Sequence, residues 1–274
     1  LSDASAEALS KHKGELSLSS LTSLSDAAAL VLSKHKGSLD LRGLKSLNNS
    51  PGHVALTKKL ASTKEDLSLG DLTSLSDASA EALSKHKGEL WLGSLTSLSD
   101  AAALALSKHK GELSLSSLTS LSDSSGHVAL AKKLASTKER LSLWDLTSLS
   151  DAALEALSKH DGVLALNGLT SLTNSAAEAL SKHKGELHLG GLTSLSDAAA
   201  EALSKHKGNL YLYHLTSLSD AAAEALSKHE GKLSLWDLTS LSDAAAKALA
   251  RKYGGMRNLD VCNQIKKQIQ KHRK

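Results

Sequence analysis

A pattern of four leucines recurs ten times along the chain and limits what it can fold into. Counted from the first leucine of each repeat, Leu occupies positions 1, 3, 6 and 9 of every copy. A segment this short cannot bury an apolar face by itself, so copies must stack on one another to form a continuous core. Most repeats are 23 residues long, and they begin at Leu16, Leu39, Leu67, Leu90, Leu113, Leu141, Leu164, Leu187, Leu210 and Leu233.

Each repeat carries the signals for one strand followed by one helix. In the opening L-x-L segment, alternation places both leucines on one face of an extended chain. Further on, Ser25 is a favourable N-cap and Asp26 suits the positive end of the helix dipole. Alanines then favour helix, with Lys34 and Lys36 near its C-terminal end. Gly37 is expected to follow in the left-handed C-cap conformation.

The leucine spacing and the short period resemble those of leucine-rich-repeat proteins, here of the bacterial type with units of about 23 residues. The resemblance covers nearly the whole chain. It implies an α/β fold: a right-handed solenoid with a parallel β-sheet on its concave side and short helices on its convex side. Position 6, where that family often has Asn or Cys, is Leu here, as at Leu21 and Leu192. The buried side-chain ladder that usually bonds to the loop backbone is therefore expected to be absent.

The repeats indicate one elongated domain in three parts. Residues 1–15 are expected to be a partial N-terminal repeat, residues 16–258 ten leucine-rich repeats, and residues 259–274 a C-terminal cap. Because Leu1 corresponds to position 9 of a repeat, the N-terminal edge is expected to be uncapped. Three explanations are open: the chain is a fragment of a longer array, processing removed an upstream part, or the edge self-associates with a second copy.

The C-terminal cap is predicted to combine a last strand with an amphipathic basic helix in which Ile265 and Ile269 share one face. Basic residues are concentrated there. From Arg251 onward, eight Lys or Arg and one Asp give a charge of +7, so the preceding part of this +4 chain carries −3. A basic arm that binds nucleic acid or anionic lipid is the alternative reading of this segment.

Two repeats, 39–66 and 113–140, are 28 residues long and contain near-copies of one segment, 52–65 and 126–139. Their starts lie 74 residues apart, as expected if a three-repeat block was duplicated. The extra five residues are predicted to lengthen the convex helix by somewhat more than one turn. Neutral variation on a tolerant face and a functional bend or second contact surface are both open explanations.

Composition excludes several classes of protein. A single cysteine, Cys262, rules out an internal disulfide framework, and no run of about 20 apolar residues predicts a membrane span. The first residues, as given, do not predict a signal peptide. The compartment stays open: a reducing one is allowed, and a secreted or cell-surface location is favoured.

The variable positions of the repeats, 2, 4 and 5, carry the functional signal. They hold ten Ser, six Gly, four Asp and single Asn, Arg and Ala residues beside the aromatic ones. Aromatic side chains give large rigid contact area, and Ser, Gly and Asn give adaptable hydrogen bonding. A constant frame with variation at three points predicts a binding surface. Its bulky aromatics are Trp91, Trp144, Tyr211, Tyr213 and Trp236.

Stacking brings equivalent positions of successive repeats together, since parallel strands lie about 4.8 Å apart. His188 is thus expected beside Tyr211, Tyr213 between Gly190 and Trp236, and His214 between Gly191 and Asp237. We define the aromatic patch as the predicted binding site formed by His188, Tyr211, Tyr213, His214, Trp236 and Asp237.

Weaker candidates lie elsewhere on the same face. Trp91 is expected between Ser68 and Ser114, and Trp144 is followed by Asp145. Arg42 is the one basic side chain at the variable positions, against four Asp. Because binding to a phosphate backbone needs Lys and Arg, this acidity argues against nucleic acid on the concave face.

Eight histidines occupy one repeat position, beside the helix end on the convex side. Zinc needs three or four converging ligands, and this row supplies one per repeat, so we expect a structural role, bonding to the last helical carbonyls, instead of a metal ladder. His214 and Asp237 resemble a catalytic pair, but no nucleophile is fixed beside them. We therefore predict no catalytic, metal or cofactor site. The row comprises His12, His35, His86, His109, His160, His183, His206 and His229.

The sequence is best interpreted as a non-catalytic recognition module that binds a protein or peptide, with a glycan as the second ligand class. A constant frame with variable strand residues resembles the design of variable lymphocyte receptors. A structural or self-assembling repeat protein is the alternative. An engineered consensus array is another, although the irregular 28-residue units and the distinctive tail argue against it.

Overall fold

In the computed structural model, which describes residues 1–138, 140–253 and 258–272, the L-x-L segment of every repeat is a short strand and a helix follows it. In chain order the elements are α1 (Asp3–Ser10), β1 (Leu16–Ser17), α2 (Asp26–Leu32), β2 (Leu39–Asp40), β3 (Ser46–Leu47), α3 (Pro51–Ala61), β4 (Leu67–Ser68), β5 (Ser74–Leu75), α4 (Asp77–Leu83), β6 (Leu90–Trp91), α5 (Asp100–Leu106), β7 (Leu113–Ser114), β8 (Ser120–Leu121), α6 (Ser125–Ala135), β9 (Leu141–Ser142), β10 (Ser148–Leu149), α7 (Asp151–Leu157), β11 (Leu164–Ala165), α8 (Asn174–Leu180), β12 (Leu187–His188), α9 (Asp197–Leu203), β13 (Leu210–Tyr211), α10 (Asp220–Leu226), β14 (Leu233–Leu235), α11 (Asp243–Tyr253), β15 (Leu259–Val261) and α12 (Asn263–Lys271).

These elements form two compact units. The first comprises Leu1–Ser120 with Ser124–Lys133, and the second Leu121–Asp123 with Leu134–Lys274. In the first unit, parallel pairing joins β1 to β2, β3 to β5, and β4 to β6 to β7. In the second, six parallel strands follow the order β15-β14-β13-β12-β11-β9. Leu187 pairs with Leu210, and Leu210 with Leu233, so equivalent positions of successive repeats are in register.

Leucines and alanines fill the space between strands and helices. In the repeat that begins at Leu210, the side chains of Leu210, Leu212 and Leu215 are completely buried, and the leucine at position 9, Leu218, is half-buried. Leu226 of α10 is also fully buried against them. The predicted α/β leucine-rich-repeat architecture, with parallel strands and one helix per unit of about 23 residues, is confirmed.

In several repeats, the serine that caps a helix also bonds to the preceding helix. Ser99 Oγ accepts a hydrogen bond from the Ala102 amide at 3.0 Å, which satisfies one free donor of the first turn of α5. The same hydroxyl donates to the carboxylate of Asp77 in the preceding repeat. Ser219 likewise donates to Asp197 in the second unit. The S-D pair therefore both begins a helix and bonds neighbouring repeats together.

The prediction for Gly37 was wrong. Helix α2 ends at Leu32 with Ser33 as a right-handed C-cap, and Gly37 does not have a positive φ. Lys34 and Lys36 also lie beyond the helix end. The glycine is needed for space, because a Cβ there would come 1.5 Å from the carbonyl oxygen of Gly14 in the preceding repeat.

Replacing Gly208 by Ala should lower the free energy of unfolding by about 1–3 kcal/mol. Its new Cβ would lie 1.9 Å from the carbonyl oxygen of Gly185. The control is Gly70→Ala, whose Cβ would meet only Ser68 Oγ at 3.7 Å, and it should leave stability unchanged or slightly raised. Urea unfolding followed by far-ultraviolet circular dichroism measures both. Equal unfolding midpoints would show that the glycine column is not a packing constraint.

Seven of the eight histidines in the row are buried between successive repeats, and His12 is exposed. His160, His183, His206 and His229 of the second unit are at most 1% exposed. Their rings stack with successive centroid distances of 6.2, 5.8 and 6.0 Å. We call these four side chains the histidine column.

Several histidines of this row bond to carbonyls of the preceding repeat. His35 Nε2 donates to the Gly14 oxygen at 2.9 Å, and His86 Nδ1 donates to the Ala61 oxygen at 3.2 Å. These buried bonds between side chain and backbone come from the histidine position and not from position 6, where Leu stands in every repeat.

Helices α3 and α6 each have eleven residues where α2 has seven, as predicted from the 28-residue repeats. Pro51 occupies the first turn of α3, after the N-cap Ser50, whose side chain makes no capping bond to the helix. The carboxylate of Asp26 in the preceding repeat accepts from the Gly52 amide at 2.6 Å. Hydrogen bonding to Ser50, then to the Gly52 amide, holds the pKa of Asp26 below its usual value, against the opposing effect of burial.

At the C-terminal end, strand β15 extends the six-stranded sheet, pairing Leu233 with Leu259. Helix α12 follows, and its Ile265 and Ile269 are completely buried. Gln268 Nε2 donates to the Leu241 carbonyl at 2.6 Å. No helix within the described ranges combines the length and apolar character required to cross a bilayer.

Candidate ligand-binding face

Side chains at positions 2 and 4 of each repeat, with those at position 5 in the following turn, lie on the side of the sheet opposite its leucines. We call this side the strand face. In the second unit it carries the aromatic patch. In the register of β12, β13 and β14, His188 is opposite Tyr211 and Tyr211 is opposite Ser234.

Three rings of the aromatic patch form one cluster. The rings of His188 and Tyr211 are stacked, with centroids 4.2 Å apart and an interplanar angle of 24°. Tyr213 lies 5.6 Å from Tyr211 and meets His188 edge-on at 6.5 Å. All three side chains are half-buried. Such contacts restrict the orientations of the three rings.

A glycine makes the position of Tyr213 possible. A Cβ on Gly190 would lie 2.9 Å from Tyr213 Cδ2, so the ring occupies the space that a larger residue would fill. The Gly190 amide donates to Asn167 Oδ1 at 2.9 Å. The placement of Tyr213 beside Gly190, expected from the repeat register, is thus found in the structure.

His214 and Asp237 form an exposed pair at the edge of the patch. Their Nδ1 and Oδ2 atoms are 2.7 Å apart, and the side chains are 63% and 45% exposed. The Asp237 amide donates to the Tyr213 carbonyl at 2.9 Å. Trp236 precedes this residue and is 53% exposed, and the described part of the chain supplies no ring that stacks on it.

Two cations lie over aromatic rings of the second unit. The guanidinium carbon of Arg140 is 5.9 Å from the centre of the Trp144 ring, and Lys232 Nζ is 5.7 Å from the centre of the Tyr211 ring. Trp144 is 55% exposed. Asp145 beside it is exposed as well. These geometries fit cation–π attraction.

Carboxylates around the cluster have partners within the chain. Glu186 Oε1 accepts from the Asn209 amide group at 3.0 Å, and Asp260 Oδ2 accepts from Ser234 Oγ at 3.3 Å.

The pKa of His188 lies below its ordinary value, first because the ring is buried and then because Arg140 is near. Burial, followed by the neighbouring Tyr211 and Asp260, raises the pKa of Tyr213.

Two predicted residues belong to the first unit. Trp91 is 49% exposed and pairs in register with Ser68 and Ser114, as expected. The guanidinium of Arg42 is bound by Asp40 on the same strand face, with an Nη2–Oδ2 distance of 3.0 Å. Its charge is therefore already compensated by a neighbour.

Sequence reasoning missed the residue that precedes each strand. Arg140, Glu186 and Lys232 all occupy it, and all three approach the aromatic cluster or Trp144. Period-two alternation puts this residue on the same face as positions 2 and 4, so the signal was available. The predicted site comprises positions 2, 4 and 5 and therefore omits the residue that precedes each strand.

Metal-ligating side chains do not cluster in the part of the chain that the structure describes. In the described ranges, no three His, Cys, Asp or Glu side chains converge to hold a metal ion. The Cys262 Sγ donates to the Leu238 carbonyl at 3.3 Å. The strand face of the second unit exposes indole rings, phenol and imidazole rings in mutual contact, two cations and several carboxylates.

Comparisons with known proteins give structural likenesses alone. No protein-family model matches the chain, and no curated protein matches it. Among solved structures, it is similar to an internalin from Listeria monocytogenes, with 16% identity over all of this chain and 88% of the other, at a TM-score of 0.45. A leucine-rich-repeat protein of Leptospira interrogans shows 17% identity over 96% of this chain and 88% of its own, at a TM-score of 0.38.

Proposed function

We propose that the chain is a recognition module that binds a protein or peptide through the strand face of its second unit. The observation that carries the proposal is the aromatic patch, in which His188, Tyr211 and Tyr213 are in mutual ring contact. Prearranged rings bind with less loss of conformational freedom than mobile ones. Trp and Tyr are also the residues most often responsible for binding energy at interfaces.

The proposed module is non-catalytic and needs no cofactor. The only hydrogen-bond partner that the described residues give the His214 imidazole is Asp237, so no hydroxyl or thiol is activated there. Trp144 and Trp236 provide exposed ring faces on the same side. These faces also suit sugar stacking, which makes a glycan the second ligand class to be tested.

The test is an unbiased capture experiment with the triple variant Tyr211→Ser, Tyr213→Ser, Trp236→Ser. We expect it to lose partners that the unchanged chain retains, with a loss of at least 2 kcal/mol in binding free energy, about 30-fold in Kd. The matched control, Leu30→Ser with Leu104→Ser, removes exposed apolar side chains from helices α2 and α5. It should keep those partners.

Identical partners for the triple variant and the unchanged chain would overturn the proposal. Treating the captured material with glycosidases separates the two ligand classes, since a glycan ligand would be released and a peptide ligand would not. Light scattering over a range of concentrations addresses the alternative of a self-assembling protein. A particle size that grows without limit would favour assembly over recognition.

A further inference from the structure

The strand face of the second unit carries more carboxylates than cations. Among the described residues, none of these carboxylates lies within ion-pair distance of a Lys or Arg. Glu186 and Asp260 accept hydrogen bonds from the neutral side chains of Asn209 and Ser234, which leave the negative charges in place. A ligand therefore meets a surplus of negative charge. The charged side chains at positions 2, 4 and 5 and before each strand are Asp145, Glu186, Asp237, Asp260, Arg140 and Lys232.

Both cations of this face already lie over rings, and one exposed ring has no cation. Arg140 lies over Trp144, and Lys232 lies over Tyr211 on the neighbouring strand. Trp236 is exposed, and no cation of the described residues lies over its indole. Lys232 precedes it by four residues, which is about 13 Å of extended chain. The indole of Trp236 thus keeps an open face that attracts a cation.

Two of the carboxylates are neighbours of Trp236. Asp237 follows it directly and is half-exposed, and its partner His214 adds no charge while the imidazole is neutral. Asp260 lies on β15, in register with Ser234, which precedes Trp236 by two residues on the same face of the sheet. The indole therefore has one carboxylate beside it in the chain and a second on the neighbouring strand.

Arg140 does not offset the negative charge at this end of the patch. It precedes β9, four strands from β14, and their backbones are about 19 Å apart at the usual spacing. At Tyr213, which is nearer, burial and then Tyr211 and Asp260 raise the pKa, and Arg140 lowers it by less than Asp260 raises it. The carboxylate thus has the larger effect even there, and a ligand cation on Trp236 would meet more attraction than repulsion.

We propose that the peptide bound at the aromatic patch is basic, with an arginine side chain on the indole of Trp236 and its charge directed at Asp237 and Asp260. Arginine suits this place because its planar guanidinium stacks on aromatic rings and pairs with carboxylates. Arg140 already lies over Trp144 in this way. The assignment rests on the proposed recognition function and narrows it to one chemical class. Binding should weaken as salt is added, because surface charges are screened.

Fluorescence anisotropy of the full chain at pH 8 with three labelled octapeptides provides the test. The peptides alternate Tyr with Arg, Tyr with Glu, and Tyr with Ser. At low salt, the Arg peptide should bind about tenfold more tightly than the Ser peptide. Asp237→Asn and Asp260→Asn should each weaken Arg-peptide binding about threefold and leave Ser-peptide binding unchanged. The control Glu230→Gln removes an exposed carboxylate between α10 and β14 and should change neither.

Trp236→Leu tests the contribution of the ring. Leucine keeps an apolar side chain but has no aromatic face, so the preference for the Arg peptide over the Ser peptide should fall about threefold. An unchanged preference in this variant would show that the indole does not hold the guanidinium, and it would overturn the assignment.

Three further results would overturn it: no binding of the Arg peptide, Glu-peptide binding as tight as Arg-peptide binding, or an unaltered Arg preference in the Asp237→Asn, Asp260→Asn double variant. The triple variant Tyr211→Ser, Tyr213→Ser, Trp236→Ser separates this failure from that of the proposed function. If Ser and Arg peptides bind equally and both are lost in the triple variant, the recognition site stands and its basic preference falls. Unchanged binding to the triple variant overturns both.

Discussion

Lowering the pH from 7.5 to about 5 should destabilise the second unit by at least about 2 kcal/mol, because three members of its histidine column, His183, His206 and His229, are buried in the neutral form. The pKa of His206 is lowered from 6.5 to about 4, first by burial and then by His183 and His229. Burial also lowers the pKa of His183 and of His229. A stacked, solvent-free column cannot take up protons readily, since each charge would be desolvated beside its neighbours.

The sign of this change in stability follows from the uptake of protons by the unfolded chain. Above pH 6.5 these histidines are neutral in both the folded and the unfolded chain, and the full stability is present. Below 6.5 the unfolded chain binds protons that the folded chain does not, until the folded pKa is reached, at about 4 for His206. Since one pKa unit corresponds to about 1.4 kcal/mol, His206 alone contributes about 2 kcal/mol of loss at pH 5 and about 3 kcal/mol at lower pH.

Urea unfolding at pH 7.5 and pH 5, followed by circular dichroism, measures this loss. In His206→Gln the difference between the two pH values should shrink by about 2 kcal/mol, because the group that titrates is gone. The matched control His214→Gln replaces an exposed histidine of the strand face and should keep the difference of the unchanged chain. Equal stability of the unchanged chain at both pH values would contradict a neutral histidine column.

Leu212→Ala should cost about 2–5 kcal/mol of unfolding free energy, whereas Leu218→Ala in the same repeat should cost less than half as much. Leu212 is completely buried beneath the six-stranded sheet, and Leu218 is half-buried. Truncation of the first leaves a cavity among Leu189, Leu235 and their neighbours, which are equally buried. Truncation of the second removes a side chain that already contacts solvent.

Denaturant unfolding of the two variants at pH 7.5, where the histidines are neutral, checks this prediction without interference from protonation. The comparison is matched, since both substitutions are Leu→Ala in one repeat. Equal losses would mean that the sheet rim is packed as tightly as its centre. A loss below 1 kcal/mol for Leu212→Ala would mean that the surrounding leucines collapse into the cavity.

The leucine frame was enough to predict the fold, because its spacing determines which face each side chain takes. Strand, N-cap and helix followed from residues such as Ser25 and Asp26. The role of Gly37 could not be predicted from its neighbours in the sequence. A side chain at this position is excluded by the carbonyl of Gly14 in another repeat, 23 positions earlier. Local conformational preference cannot reveal a contact of that kind, and the unequal burial of Leu212 and Leu218 is hidden for the same reason.

For the aromatic patch as well, the sequence predicted some contacts and not others. Register predicted that His188 and Tyr211 would be neighbours, and they are. It could not predict that Arg140, two strands away along the sheet, would come near His188, because only the rotamer of a long side chain decides its reach. Nor could it show that seven of the eight histidines in the row are buried, since burial depends on how closely helices approach the loops that carry them.

Bonds between neighbouring repeats join residues 22 or 23 positions apart, such as Ser219 with Asp197 and Leu210 with Leu187. If residues 187–209 were deleted as one block, Leu210 would meet Leu164, and Ser219 would reach Asn174, which now serves Ser196. The core would close, but Tyr211 would face an alanine instead of an imidazole. A change in the number of repeats would therefore change which side chains are neighbours on the strand face, while the leucine core stays closed. Recombination between near-identical units can in this way produce new surfaces on a chain that still folds.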